Sequence, residues 1–529
     1  MKQTLRRNFG AVVIMATASL LLSSCRVLDK GMGRYEANAR KSIVVLYDND
    51  VHCAIEGYQM AAGLRDAIQD TAFCIMVSSG DYLQGGTAGA ISSGQYVADI
   101  MKTVDYAAIT LGNHEFDYGM TRMKELLKDI GAPVTCCNLY SVETGKKEYA
   151  SYVTKQVGNK NIAFVGAVTP TTLYTEAYSF YDKNDRQTHH LSEKNLYQEV
   201  QKAVNAARQN GADYVVLLSH IGEDDNICHT MSHELVKQTN GIDVVLDGHT
   251  HSVVPQVTEY NKDGKPVIIT QTGTKYANVG KLLIKPDGKM CTELIPMKSL
   301  TKKNTKVEAA TEKVMKEYNA KVQKHICNSD VELNILDTKG KQAVRLREVN
   351  AGDLVTDAYR YVTNAQIAIT NGGGIRTSLK SGDLTYGDII ALLPYENYVE
   401  ILEVKGQKII DVLNACTKFL PLENGDFPQV SGIRYTIDMN AQQRVSKVEI
   451  LDEKTGKYSD IDPDATYTLG TIDYCVTGGG LQTLLKNEKV VKQNIMLYSE
   501  ALIEYVTKKL DGHIGQEYAS PQGRIIFKQ

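Results

Sequence analysis

The chain has 529 residues, enough for two or more domains that each bury a core. At 43% apolar and 23% charged, its composition is that of an ordinary soluble globular protein. The net charge is −3 and becomes −6 if residues 1 to 24, with Lys2, Arg6, Arg7 and no acid, are removed, so there is no electrostatic footprint for a nucleic-acid polymer as partner.

Residues 1 to 24 join a basic start to an apolar stretch from Ala11 to Leu22 that is too short for a comfortable membrane span, followed by small residues, the pattern of an export signal. LLSSC, residues 21 to 25, resembles a bacterial lipobox, which would make Cys25 the lipidated first residue of a mature protein held on a membrane outside the cytoplasm. Residues 25 to 40, polar with Gly31 and Gly33, read as a tether.

Five apolar runs then each end in groups that suit a metal or a reacting phosphate. IVVLY (43 to 47) leads to Asp50 and His52, two apart and able to aim at one ion. FCIMVSS (73 to 79) leads to Asp81. Ala107 to Leu111 leads to Asn113, a neutral amide ligand, then to His114, an imidazole for a substrate, and to Asp117, a carboxylate placed to orient that imidazole. YVVLL (214 to 218) leads to His220, and DVVLD (243 to 247) to His249 and His251. An α/β sheet gathers such groups at the carboxyl ends of its strands. Asp48, Glu115 and Asp247 beside them are expected to support the ligands or the fold.

Between these blocks Ser192 to Asn210 is amphipathic, with Ser192 as N-cap and Gly211 as stop. His189 and His190 lie outside any block and read as surface residues. Asn261 to Gly264 and Pro286 to Gly288 are hairpin signals. Thr305 to Cys327 carries Val307, Ala310, Val314, Tyr318, Val322 and Ile326 at helical spacing and predicts a connecting helix. Beyond it, NGGGIR (371 to 376) follows an apolar run; its glycines, Gly373 among them, let backbone amides approach an anion, and Arg376 supplies a bidentate charge. The nine cysteines after Cys25 show no CxxC spacing and read mostly as buried thiols, Cys74 most clearly.

The order D-x-H, G-D-x-x-x-G, G-N-H-E, an isolated His and G-H-x-H resembles the calcineurin-like metallophosphoesterases. With LREVNAGDLVTDAYRYV (345 to 362), NGGGIR, LLPYENYV (392 to 399) and DYCVTGGG (473 to 480) downstream, the chain resembles the 5'-nucleotidase family. The resemblance implies an α/β fold: a two-sheet α/β/β/α metallophosphoesterase sandwich over residues 41–303, a connecting helix over 304–327, and an α/β substrate-binding nucleotidase domain over 328–529. It also implies two divalent ions, zinc or manganese. One ion takes Asp50, His52, Asp81 and His251, and the other Asp81, Asn113, His220 and His249. His114, oriented by Asp117, then stabilises the transferring phosphoryl group or protonates the leaving oxygen. Arg347 and Arg376 match the family's phosphate-binding arginines, Asn371 a base-contacting amide, and Tyr395 and Tyr474 the two rings that sandwich the base. Gly480 stands where the family pattern has the aspartate that binds the ribose hydroxyls, which puts nucleoside recognition in question. The expected activity is release of phosphate from nucleoside 5'-monophosphates. A UDP-sugar diphosphatase and a 2',3'-cyclic nucleotide phosphodiesterase are the runners-up, and an inactive surface binding lipoprotein is the reading from another class.

Overall fold

In the computed structural model, residues 41–182, 186–224, 228–477, 484–493 and 495–528 are described. Cys25 and Gly480 lie outside the described residues.

The strand Ile43–Asp48 shows how its sequence builds a layered fold. Alternate side chains point to opposite faces: Val44 and Leu46 pack under helices, while Ile43, Val45 and Tyr47 face a second sheet. Both faces are buried, which is why the run is continuously apolar. The first sheet runs Met290–Pro296, Asn278–Ile284, Ile43–Asp48, Phe73–Ser78 and Ala108–Ile109. The second runs Val253–Tyr260, Pro266–Thr272, Val244–Leu246, Tyr214–His220, Lys160–Val168 and Tyr152–Val157. In the second sheet Val215 and Leu217 pack toward helix Leu196–Gln209, and Val216 and Leu218 toward the first sheet. Helices thus cover both outer faces of a two-sheet sandwich, the expected α/β/β/α order. Three strands of the first sheet are mutually parallel, as are four of the second, so their carboxyl ends open onto one edge.

The two hairpins form where the turn residues predict them, Val253–Tyr260 with Pro266–Thr272 and Asn278–Ile284 with Met290–Pro296. The helix expected from Ser192 instead begins at Leu196, with Asn195 as N-cap. Strand His189–Leu191 pairs with Leu139–Ser141 and Ser192 N donates to Asn138 O (3.0 Å), which holds Ser192 in extended chain. The same pairing buries His189, whose Nε2 is 3.3 Å from Glu148 Oε2, and His190 stacks on Tyr140, so neither is the free surface residue that the sequence implies.

The connecting helix spans Thr305–Val322 and is capped by Asn304, whose side chain accepts from Val307 N (3.0 Å). It ends earlier than its apolar spacing predicts. Ile326 and Cys327 belong to strand His325–Ser329, which pairs with Gly382–Thr385 and His513–Ile514, and an alternating strand accounts for them equally well. The following part carries a five-stranded sheet (Pro428–Ser431, Ile367–Asn371, Thr466–Ile472, Val399–Lys405, Lys489–Lys492) and a four-stranded one (Lys457–Asp460, Val445–Asp452, Ile433–Ile437, Ile525–Phe527), with helix Asn350–Thr363 buried beside them. It meets the sandwich edge where Ser93 Oγ donates to the Glu396 carboxylate and Gln84 Nε2 approaches Pro394 O (3.5 Å). Seven of the nine described cysteines are buried, Cys74 included. Among the described residues no helix is long and apolar enough to cross a membrane.

Candidate active site

The shared edge of the two sheets gathers the seven expected metal ligands, Asp50, His52, Asp81, Asn113, His220, His249 and His251. Five of them, Asp50, His52, Asp81, His249 and His251, have φ between 45° and 82°. Non-glycine residues avoid this left-handed region at a cost of about 1–3 kcal/mol each, and such strain clusters where side chains are aimed for function.

Asp50, His52, Asp81 and His251 present ligand atoms that all lie within 4.8 Å of one another. His52 Nε2 is 2.9 Å from His251 Nε2 and 3.7 Å from Asp81 Oδ2, and His251 Nε2 is 3.4 Å from Asp50 Oδ1. On the other side of Asp81, His220 Nε2 is 3.0 Å from its Oδ2, and His249 Nδ1 is 3.0 Å from Asn113 Oδ1. Asp50 Oδ1 lies 3.8 Å from both His52 Nε2 and His220 Nε2, so the buried carboxylates Asp50 and Asp81 stand together among these histidines.

The surroundings fix which nitrogens face inward. His52 Nδ1 lies 2.9 Å from the carbonyl of Gln84 and His220 Nδ1 2.7 Å from that of Ser79; both contacts need N–H at Nδ1 and leave the Nε2 lone pair for the site. The Nε2 of fully buried His220 has no aligned hydrogen-bond partner. Burial pushes His52 and His249 down to about 4, which keeps them neutral and able to ligate. At His220 burial also lowers the pKa, but the Asp81 and Asp50 carboxylates outweigh it and raise it to about 10. An inward-facing buried nitrogen without an aligned partner, beside carboxylates that demand positive charge, fits a divalent cation.

Glu115 holds this frame. Its Oε2 accepts from the backbone N–H of Asp81 (2.7 Å) and Gly112 (2.6 Å), and its Oε1 from Tyr82 (2.8 Å) and Leu83 (3.1 Å). Burial first, then the Asp81 charge, pushes it up to about 7 against the donors at Gly112, Leu83 and Asp81. Gly112 is required beside it, since a Cβ there would lie 2.1 Å from Asp81 Oδ1. Asp48, also expected to be supporting, accepts from the hydroxyls of Tyr106 (2.6 Å) and Tyr276 (2.8 Å), and Asp247 from the N–H of Gly222 (3.2 Å). Asn49, which the sequence did not single out, donates to Asp50 Oδ2 (2.6 Å) and ties it to Gly273 O (3.0 Å).

His114 Nδ1 is 2.9 Å from Asp117 Oδ2, the expected pairing, and Asp81 Oδ1 accepts from His114 N at 2.9 Å. Burial opposes charge on His114, but Asp117 and Asp81 prevail and hold it well above the usual histidine value.

A cavity of about 260 Å³ lies between the sandwich and the C-terminal part. Asn113, His114, Asp117 and Glu176 line one wall, and Asn371, Gly373, Tyr395, Asp426 and Tyr474 the other. Asn371 sits at the end of strand Ile367–Asn371, and Gly373 N donates to Gly425 O at 2.7 Å. Arg376 is exposed at the margin, its guanidinium 6.0 Å from the Tyr395 ring centre. Arg347 does not join them. Its side chain is 53% exposed and pairs with Asp337 (3.3 Å), on a surface with Asn334 and Pro521. Arg345, two residues earlier in the turn Ala343–Arg345, is half-buried and lies near Arg376 and Tyr395 instead. Burial and the nearby Arg376 guanidinium hold Arg345 below the usual arginine value, and its buried Nε has no hydrogen-bond partner. Two neighbouring guanidiniums are a pair able to take an anion.

A family model for calcineurin-like phosphoesterases matches residues 45–253 and one for the 5'-nucleotidase C-terminal domain matches residues 326–487, together well over half the chain. The chain belongs to the 5'-nucleotidase family. A 5'-nucleotidase of Vibrio parahaemolyticus is 25% identical over 97% of this chain and 97% of its own length. The trifunctional nucleotide phosphoesterase protein YfkN of Bacillus subtilis is 24% identical over 83% of this chain, which spans about a third (32%) of that protein. The solved structure of a 5'-nucleotidase precursor from Thermus thermophilus aligns with a TM-score of 0.69 at 26% identity, over 92% of this chain and 99% of that one. As a member of the 5'-nucleotidase family, with an Asp/His cluster able to bind metal ions, this chain is a metal-dependent phosphoester hydrolase.

Proposed function

We propose that this chain is an extracytoplasmic, lipid-anchored 5'-nucleotidase that hydrolyses nucleoside 5'-monophosphates to nucleoside and phosphate. The observation that carries the reading is one cavity bounded on one side by His114 and Asn113 and on the other by Tyr395 and Tyr474. A nucleoside monophosphate spans it with its phosphate at the Asp/His cluster and its base between the rings.

Asp50, His52, Asp81 and His251 would hold one divalent ion, and Asp81, Asn113, His220 and His249 a second. Their mixed oxygen and nitrogen donors suit zinc or manganese. Bound there, the ions neutralise phosphate charge and supply a nucleophile at neutral pH. Arg345 and Arg376 grip the phosphate oxygens, Arg345 replacing the Arg347 of the sequence reading. His114, kept protonated by Asp117, donates from Nε2 to the phosphoryl group or to the departing 5' oxygen. Tyr395 and Tyr474 stack on the base, with the Asn371 amide and the Gly373 backbone at its edge. The anchor rests on the basic and apolar residues 1 to 24 before Cys25, and Cys25→Ser is expected to release the protein from membranes.

The test is phosphate release by purified protein from mononucleotides, 2',3'-cyclic nucleotides and UDP-glucose, with and without added Mn²⁺ or Zn²⁺. One relative is named as trifunctional, which is why the panel extends beyond monophosphates. AMP or another 5'-monophosphate is expected to give the highest kcat/KM. A preference for UDP-glucose or cyclic nucleotides, or no turnover with metal present, overturns the reading.

A further inference from the structure

We propose that Glu176 is a positioning residue that fixes the Asn113 amide with its oxygen toward the metal centre; the proposal rests on the metal-ligand role given to Asn113 above. The oxygen and nitrogen of an asparagine amide are nearly equal in size, so only their partners decide which one faces a cation. Asn113 Nδ2 donates to Glu176 Oε1 at 3.3 Å, and Asn113 Oδ1 is thereby turned to within 3.0 Å of His249 Nδ1. Rotating the amide by half a turn would set an N–H₂ group at the metal centre and leave two oxygens opposed at Glu176.

Glu176 is built to do this. It is 5% exposed, and its other oxygen takes the Thr175 hydroxyl, so the carboxyl group has a fixed orientation. Its backbone is clamped to the loop that carries Asn113: Glu176 N donates to Thr172 O (3.0 Å), Ser179 N to Glu176 O (3.0 Å), and Ser179 Oγ to Phe116 O (2.5 Å). The Phe116 and Phe180 rings stack with centres 5.2 Å apart, closing the same clamp. Glu176 thus travels with Asn113 as one unit. It stands apart from the Asp50, His52, Asp81 and His251 group and is clustered instead with His114 and Asp117.

The experiment is titration of metal-free, full-length protein with Mn²⁺, reading free Mn²⁺ by electron paramagnetic resonance, with no substrate present. Glu176→Ala is expected to weaken one of two Mn²⁺ sites by about 10–100-fold, the usual scale for losing a partner that orients a ligand, and to leave the other unchanged. Glu176→Gln keeps an acceptor oxygen for Nδ2 and is expected to stay within about threefold of the natural protein. Unchanged binding in Glu176→Ala overturns the proposal. Equal loss in both variants overturns it too, because the charge and not the acceptor would then matter, and equal loss at both sites assigns Glu176 to folding. Since the readout involves no nucleotide, a wrong substrate leaves this result standing, whereas a natural protein that binds no Mn²⁺ fails the functional reading itself.

Discussion

Replacing Glu115 with glutamine tests whether the Asp81 loop is held by acceptance of backbone N–H groups. The carboxylate serves four donors at 2.6 to 3.1 Å, two on each oxygen. An amide of the same shape has one oxygen, so whichever way it turns, two N–H groups face its –NH₂. A buried donor left unpaired costs about 1–3 kcal/mol, and two of them about 2–6 kcal/mol. The loop relieves part of this by moving, and Asp81 N or Gly112 N moves with it. In the proposed ligand assignment Asp81 is shared by both ions, so the displacement is expected to weaken Mn²⁺ binding at both sites by about 10–100-fold, unlike the single-site loss expected for Glu176→Ala. Mn²⁺ titration of the metal-free variant, with its thermal midpoint recorded beside the natural protein, measures both effects. Binding within about twofold, together with an unchanged midpoint, would refute the reasoning, since the four hydrogen bonds would then add nothing beyond what an amide supplies.

His114→Ala is expected to keep both metals and to lower kcat by roughly 10²–10⁴-fold, read by elemental analysis and steady-state rates; loss of a metal would make His114 a ligand instead. Tyr395→Ala and Tyr474→Ala should raise KM for AMP while hydrolysis of a small aryl phosphate changes little, because stacking acts on the base; equal losses on both substrates would refute the clamp. Arg345→Ala should reduce kcat/KM for AMP by roughly tenfold or more, the loss of one charge-assisted hydrogen bond of about 1.5–3 kcal/mol, while Arg347→Ala stays near the natural value; the reverse order would restore the sequence assignment.

The Asp/His cluster was legible because its residues lie at or just past the ends of short, mostly buried strands, and parallel strands in adjacent sheets have to bring those ends to one edge. His114 and Asp117 were legible for the same reason, three residues apart beside Asn113. Arg345 was not. In V-R-L-R the two arginines are equivalent as text, and only the fold sets the first near Arg376 and leaves the second with Asp337. Glu176 has no strand before it; it follows the four-residue helix Thr172–Thr175 and reaches Asn113 through packing of Phe180 on Phe116. His189 looked exposed because the strand that buries it is three residues long and gains its partner from Leu139–Ser141, some fifty residues earlier.

The central claim, a two-ion hydrolase acting on nucleoside 5'-monophosphates, is tested most directly by the initial rate of AMP hydrolysis as metal-stripped protein receives measured equivalents of Mn²⁺. The account predicts no rate without metal and a plateau reached at two equivalents per chain, with adenosine and phosphate formed in equal amounts. A plateau at one equivalent, or hydrolysis that persists after stripping, would contradict it.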